Sequence, residues 1–207
     1  MSDQSGEPQQ QQEITITPTL ESEPRYAEQL GHISVEWANL EWHTYLTFEL
    51  VSGSPPAVAR SIFYAIDSTR GRREMVSGIG KALIDNDSEK NILDDILRRI
   101  GKSSAQRNKY IHDTWGVATT QKHEVFQLRM NQNDSSQKMD AVTIPDMQTV
   151  AENIRKLTDE LHNFRERIRP KVPAWLERYR KLPGLGLVYA PKGHPPGRKP
   201  KGFHTKP

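Results

Sequence analysis

Eight apolar residues, Ile144, Met147, Val150, Ile154, Leu157, Leu161, Phe164 and Ile168, recur at spacings of 3, 3, 4, 3, 4, 3 and 4. That alternation keeps one apolar seam along a single helix, and so long a seam has to be covered by another helix. Pro145 sits in the first turn, where its missing N–H costs nothing, and Pro170 stops the helix. The fold is therefore expected to be mainly α. The seam should close within the chain in preference to closing on a second copy.

Partners for the seam lie upstream. Tyr26, Leu30, Ile33, Trp37, Leu40, Phe48 and Val51 recur at helical spacing and end at Gly53 and the Pro55-Pro56 pair. Trp42, Tyr45, Leu46 and Leu50 widen this stripe, as in a central or dimer-facing helix. A second helical stretch runs from about 56 to 84, with Gly71, Gly78 and Gly80 marking an expected kink or break. Ser88 is the expected cap of a third helix carrying Ile92, Leu93, Ile96, Leu97 and Ile100, with a further interruption at Gly101. After Trp115-Gly116 the period changes. Residues 117–119, 124–130 and 141–143 read as short strands around a polar turn at 131–138. The architecture is a bundle of four to five helices, with a small β-hairpin or meander inserted at about 117–144.

Composition sets the ends. Residues 1–23 carry Pro8, the run Gln9 to Gln12, Pro18 and few large apolar side chains, and are expected to be a disordered leader. The helical domain spans 24–180. Residues 181–207 form a Pro/Gly-rich tail with six Lys or Arg and no Asp or Glu, in which Leu185 to Tyr189 could dock back. Because the whole chain is +3, residues 1–180 sum to −3, and only the tail has the charge of a non-specific nucleic-acid binder. The chain has no cysteine, which excludes disulfides, thiolate metal sites and a Cys nucleophile. No signal peptide and no long apolar run is found, so a soluble, cytoplasmic protein without membrane association is expected.

The chemistry concentrates in Arg107-Asn108-Lys109-Tyr110-Ile111-His112. Asn108 and His112 share a helix face at i and i+4, and the long stem of Arg107 can bring its guanidinium to the same patch. A guanidinium forks phosphate oxygens, while an imidazole moves protons near neutral pH. With 16 Arg and 7 His in 207 residues, a bare Arg-to-His pair at this offset arises by chance roughly 0.5 times. Requiring Asn, Asp or His directly after the Arg lowers this to roughly 0.07, so the trio carries information that the pair does not.

A helical bundle with Arg-Asn-x-x-x-His late in its third or fourth helix resembles the HEPN superfamily (higher eukaryotes and prokaryotes nucleotide-binding). That signature is Arg, four to six residues, then His, with a polar residue commonly after the Arg. Arg107, Asn108 and His112 match it position by position. Tyr110-Ile111 and Trp115-Gly116 are similar to the residues that often flank it. The resemblance covers about 25–170, and the heptad helix and β insertion are outside the common pattern.

The resemblance implies a prokaryotic endoribonuclease of the toxin–antitoxin or defence type, working without metal or cofactor as a homodimer in which two motifs face each other. His112 would take the proton of a ribose 2′-OH, Arg107 would hold the charge building on the phosphoryl oxygens, and Asn108 would orient imidazole or phosphate. The product would be a 2′,3′-cyclic phosphate, and DNA would be inert. The expected partners are RNA, a second copy, and an antitoxin or regulatory protein. The alternative is a non-catalytic HEPN-like module binding a protein or nucleotide, with Arg107 paired to an acid and His112 satisfied on its helix.

Other clusters carry less. Arg70, Arg72 and Arg73, with Lys109, could contact an RNA backbone, though ion pairs to Glu36 and Glu41 or a solvated face explain the arginines better. Glu36-Trp37 and Glu41-Trp42 read as core tryptophans with solvated or paired glutamates. His32 and His43 get the same bland reading, and His123, His162, His194 and His204 suggest no metal box. Gly184-Leu185-Gly186 lacks the strand and helix of a dinucleotide loop.

Overall fold

The structure, a computed structural model, describes residues 16–118, 124–130 and 137–180. Within them are six helices and one antiparallel sheet. The helices are α1 (Pro24–Ser52), α2 (Pro56–Tyr64), α3 (Thr69–Leu83), α4 (Asp87–His112), α5 (Ile144–Ile168) and α6 (Val172–Arg180). The strands are β1 (Ile16–Thr17), β2 (Thr114–Ala118), β3 (Val125–Met130) and β4 (Gln137–Ala141), hydrogen-bonded in that order. A mainly α bundle with a small inserted sheet is the fold.

The seam of α5 closes within the chain. Met147, Ile154, Leu161, Phe164 and Ile168 share one core with Ile33, Leu40, Phe48 and Val51 of α1, each side chain almost wholly removed from water. Tyr26 donates to the Val142 carbonyl (3.1 Å) at one end, and Arg165 meets His43 further along, so α1 and α5 run parallel. The long crossover between them holds α2, α3, α4 and strands β2 to β4. Arg99 on α4 forks Glu160 on α5, while Arg167 and Lys171 (both 2.9 Å) converge on Glu89 at the start of α4, so α4 runs antiparallel to α5. Burial pushes the Glu89 carboxyl up, but its bonds to Arg167 and Lys171 outweigh this and hold it below the usual range.

Local chemistry fixes the ends. Gly53 takes the left-handed conformation (φ 60°) that closes α1, and its N–H donates to Glu49. Thr143 and Asp146 form a reciprocal capping box on α5, with Pro145 in the first turn. The break in the second helical stretch falls at 65–68, not at its glycines, because Ser68 caps a new helix by accepting from the Gly71 N–H (3.0 Å). Gly80 and Gly101 lie inside unbroken helices. A Cβ on Gly80 would stand 2.6 Å from Leu93 Cδ2, and one on Gly101 would stand 2.4 Å from Arg73 Nη1, so both serve close approach. Asn86, not Ser88, caps α4, its side chain accepting from the Glu89 N–H (3.2 Å). Ser88 is the second residue of that helix.

The first strand of the insertion begins three residues earlier than the sequence suggests, since β2 starts two residues after α4 ends. Strand β3 begins one residue later than expected, and β4 takes up 137–138 of the expected turn and ends at Ala141, where the sequence places the start of the third strand. Within the expected leader, Ile16 and Thr17 pair with Ala118 and Val117, and residues 1–15 lie outside the described residues. The expected tail, with Leu185 to Tyr189, also lies outside them. Helix α6 has no counterpart in the sequence reading. It follows the Pro170 stop directly and buries Val172 and Trp175 in the core. Among the described residues no helix is long and apolar enough to cross a membrane.

Candidate nucleic-acid cleavage site and a second basic cluster

Helix α4 runs through Gly101 without a break, so Arg107, Asn108 and His112 share one rigid element, as their spacing requires. His112 is its last residue and is exposed, with no side-chain hydrogen bond or ion pair among the described residues. Asn108 is exposed one turn earlier. Its Oδ1 accepts from Arg107 Nη1 (3.2 Å). The half-buried Arg107 lays its guanidinium over the indole of Trp37 on α1, Cζ 5.8 Å from the ring centroid, a cation–π contact. Among the described residues no carboxylate lies within 4 Å of it, and its Nε is buried without a partner. Arg107 is thus positioned by an aromatic face, leaving its charge uncommitted.

The inserted sheet secures this helix end. The last carbonyls of a helix have no internal donors and must find others. Here Trp115 Nε1 donates to the Tyr110 carbonyl (3.0 Å), Gln127 Nε2 to the Lys109 carbonyl (3.2 Å), and the Asp113 N–H to that same carbonyl (3.3 Å). Arg129 on β3 pairs with Asp113 (2.5 Å). Trp115 stacks on Tyr110 with centroids 6.1 Å apart and touches Tyr26 at 6.4 Å. Burial pushes both tyrosines up, with Glu23 adding to the effect at Tyr26 and Asp146 at Tyr110.

The arginines of α3 are differently placed. Arg72 turns inward, donating to the Ile66 carbonyl (2.8 Å), pairing with Glu41 (3.1 Å), and lying over the rings of Phe63 and Tyr64. Arg73 donates to the Leu97 carbonyl (3.1 Å). Arg70 is exposed and paired with Glu74 (2.7 Å). None of the three shares a hydrogen bond with Arg107, although Arg72 and Arg73 line a cleft with Trp37, and Lys109 is exposed on the same helical turn as Asn108. Of the tryptophans read as core, Trp37 is buried, but Trp42 is 45% exposed and leans on Tyr45 at the surface. It sits on the outward side of α1, well round the helix from Trp37.

A second cluster escaped the sequence reading. Arg165 on α5 is 5% exposed, and its Nη2 lies 3.2 Å from His43 Nδ1 on α1 and 3.4 Å from His162 Nδ1. A guanidinium only donates, so each Nδ1 accepts and each imidazole is neutral at that nitrogen. The two rings are 6.0 Å apart. Among the described residues no carboxylate is within 4 Å of Arg165, and its Nε is buried without a partner. Burial lowers the His43 pKa, with Arg165 and then His162 pushing the same way. Burial also draws Arg165 below its usual range, as does Arg169. The sequence signal was thin. Arg165 follows Leu161 by four and precedes Ile168 by three, at the edge of the seam, but nothing linked it to His43.

Among the described residues no group of three or more His, Asp or Glu is placed to hold a metal ion. Compared with protein-family models, curated proteins and solved structures, the chain gives no match in any of the three.

Proposed function

We propose that this chain is a metal-independent endoribonuclease of the toxin or defence type, a HEPN-like bundle working as a cytoplasmic homodimer. The observation that carries the reading is the uncommitted charge of Arg107, held on Trp37 with no carboxylate near it among the described residues and within two turns of an exposed His112. A catalytic cation has to be available to substrate, and an arginine serving only structure is usually paired, as Arg72 is.

In the proposed reaction His112 takes the proton from a ribose 2′-OH. The 2′-oxygen forms a bond to phosphorus, and the bond from phosphorus to the 5′-oxygen breaks. Arg107 holds the charge on the non-bridging oxygens, where a preorganised donor acts most strongly in the transition state. Asn108 steadies the guanidinium through its Oδ1. The leaving 5′-oxygen takes a proton from His112 of a second copy, so one motif per chain suffices. Lys109 and the basic tail add attraction for the RNA backbone. An antitoxin or regulatory protein would hold such an activity in check.

The test is cleavage of mixed cellular RNA by the purified full chain in EDTA, beside Arg107→Ala and His112→Ala. Cyclic phosphate ends, lost in both variants, are the expected result. No cleavage by folded parent protein, or cleavage that survives both substitutions, would overturn the reading.

One observation favours the alternative, a non-catalytic module binding a protein. Val35 (61% exposed) and Trp42 (45%) lie one heptad apart on the outward side of α1, away from Arg107. A protein partner lost on Trp42→Ser but kept in His112→Ala would mark that reading.

A further inference from the structure

We propose that His43, His162 and Arg165 form a binding site for a phosphoryl oxyanion, separate from the motif on α4. An arginine this deeply buried normally meets a carboxylate, because stranding a charge away from water is costly. Arg165 meets none within 4 Å among the described residues. Its neighbours are instead two imidazole nitrogens, which offer lone pairs but no countercharge, and its Nε has no partner. The nearest acids, Glu49 on α1 and Glu166 on α5, act on it only at a distance.

The geometry selects the ligand class. Three nitrogen-bearing groups converge from two helices. When the imidazoles take up protons they stop accepting and become donors, and three cations then face one another. A tetrahedral phosphoryl group can accept from the guanidinium and both rings at once, whereas a planar carboxylate presents only two oxygens in one plane. His162 is exposed and His43 half-buried, so entry is beside the His162 ring. Binding should therefore draw in protons. The groups facing the rings are Arg165, Asp159 and the Thr158 backbone on α5, with Glu166 and Arg169 close by and Glu49 on α1.

The experiment is an NMR pH titration of the histidine ring protons of the full chain, in inorganic phosphate and in sodium chloride of equal ionic strength. Phosphate is expected to raise the apparent pKa of His43 by about one unit relative to chloride. Arg165→Gln should abolish that rise. His162→Gln, at an exposed position that does not threaten the fold, should weaken phosphate binding about tenfold. Arg107→Ala should respond like the parent, which keeps this test apart from that of the ribonuclease. Equal titrations in phosphate and chloride, an undiminished response in His162→Gln, or a response lost in Arg107→Ala would each overturn the proposal.

Discussion

Arg107 and Arg165 are alike in having no carboxylate beside them among the described residues, and they differ in almost everything else. Four other arginines show the usual alternative. Arg72, Arg99, Arg129 and Arg167 each reach an acid outside their own helix or strand, namely Glu41, Glu160, Asp113 and Glu89. Arg107 is partly exposed and rests on an aromatic face, so its charge keeps contact with water and stays available to an incoming phosphate. Arg165 has lost its water and gained only neutral imidazoles. An unpaired guanidinium at the surface is an open hand, but the same group in the interior is an unbalanced charge. The first points to chemistry on a large, transient substrate, and the second to an anion held in place.

Four experiments break or sharpen this contrast, and the largest effect belongs to the surface site. His112→Ala should reduce RNA cleavage by about 10²–10⁴-fold, the usual loss of a general base, with the melting temperature unmoved because the side chain is exposed. Parallel cleavage assays and thermal scans check both halves.

Trp115→Ala comes next. It removes the stack on Tyr110 and the donor to the Tyr110 carbonyl, and should cost about 2 kcal/mol, less than a fully buried aromatic because Trp115 is only half-buried. Denaturant midpoints measure it. Cleavage should fall with the frayed helix end while the phosphate response at Arg165 persists. Loss of both together would show that the two sites are not independent.

The third experiment compares signs. Arg165→Met strands no acid and should raise stability by about 1 kcal/mol, since an apolar side chain suits that position better than an unpaired charge. Arg99→Met leaves Glu160 without its partner and Asp95 with Arg98 alone, and should lower it by about 0.5–1 kcal/mol, a small loss because those acids are partly solvated. Equal signs in urea titrations would refute the contrast between paired and unpaired arginines.

The smallest effect is the pH dependence. The His43 pKa is lower in the fold than in the unfolded chain, so the unfolded state binds more protons between those two values. Stability should therefore fall as pH drops from the ordinary histidine range through the folded pKa. His43→Gln should flatten that limb in a series of melts at stepped pH without added phosphate.

How much of this could be read beforehand depends on how far apart the informative residues lie. The seam of α5 and the Gly53 end of α1 were legible because helical spacing and a left-handed glycine are local facts. Arg107, Asn108 and His112 were legible for the same reason, all within six residues. The helix-breaking expected of Gly80 and Gly101 failed because their small size serves contacts with Leu93 and Arg73, which no local pattern announces. Trp42 was placed in the core by its type and spacing, and only the packing of neighbouring helices leaves it at the surface. The cluster at Arg165 was invisible. Its members are 122 residues apart, and they meet only because α1 and α5 run parallel.

The attachment of the sheet to the end of α4 has a consequence for motion. Amides in the last turn of an isolated helix exchange with solvent by fraying, one residue at a time. Here the Lys109 and Tyr110 carbonyls are held by side chains of β3 and β2, and β1 pairs with β2 in turn. The turn that carries His112 therefore opens when the sheet opens, as one cooperative unit. Whatever grips the sheet, even at its outer strand, sets how long the imidazole at the tip of α4 keeps its aim.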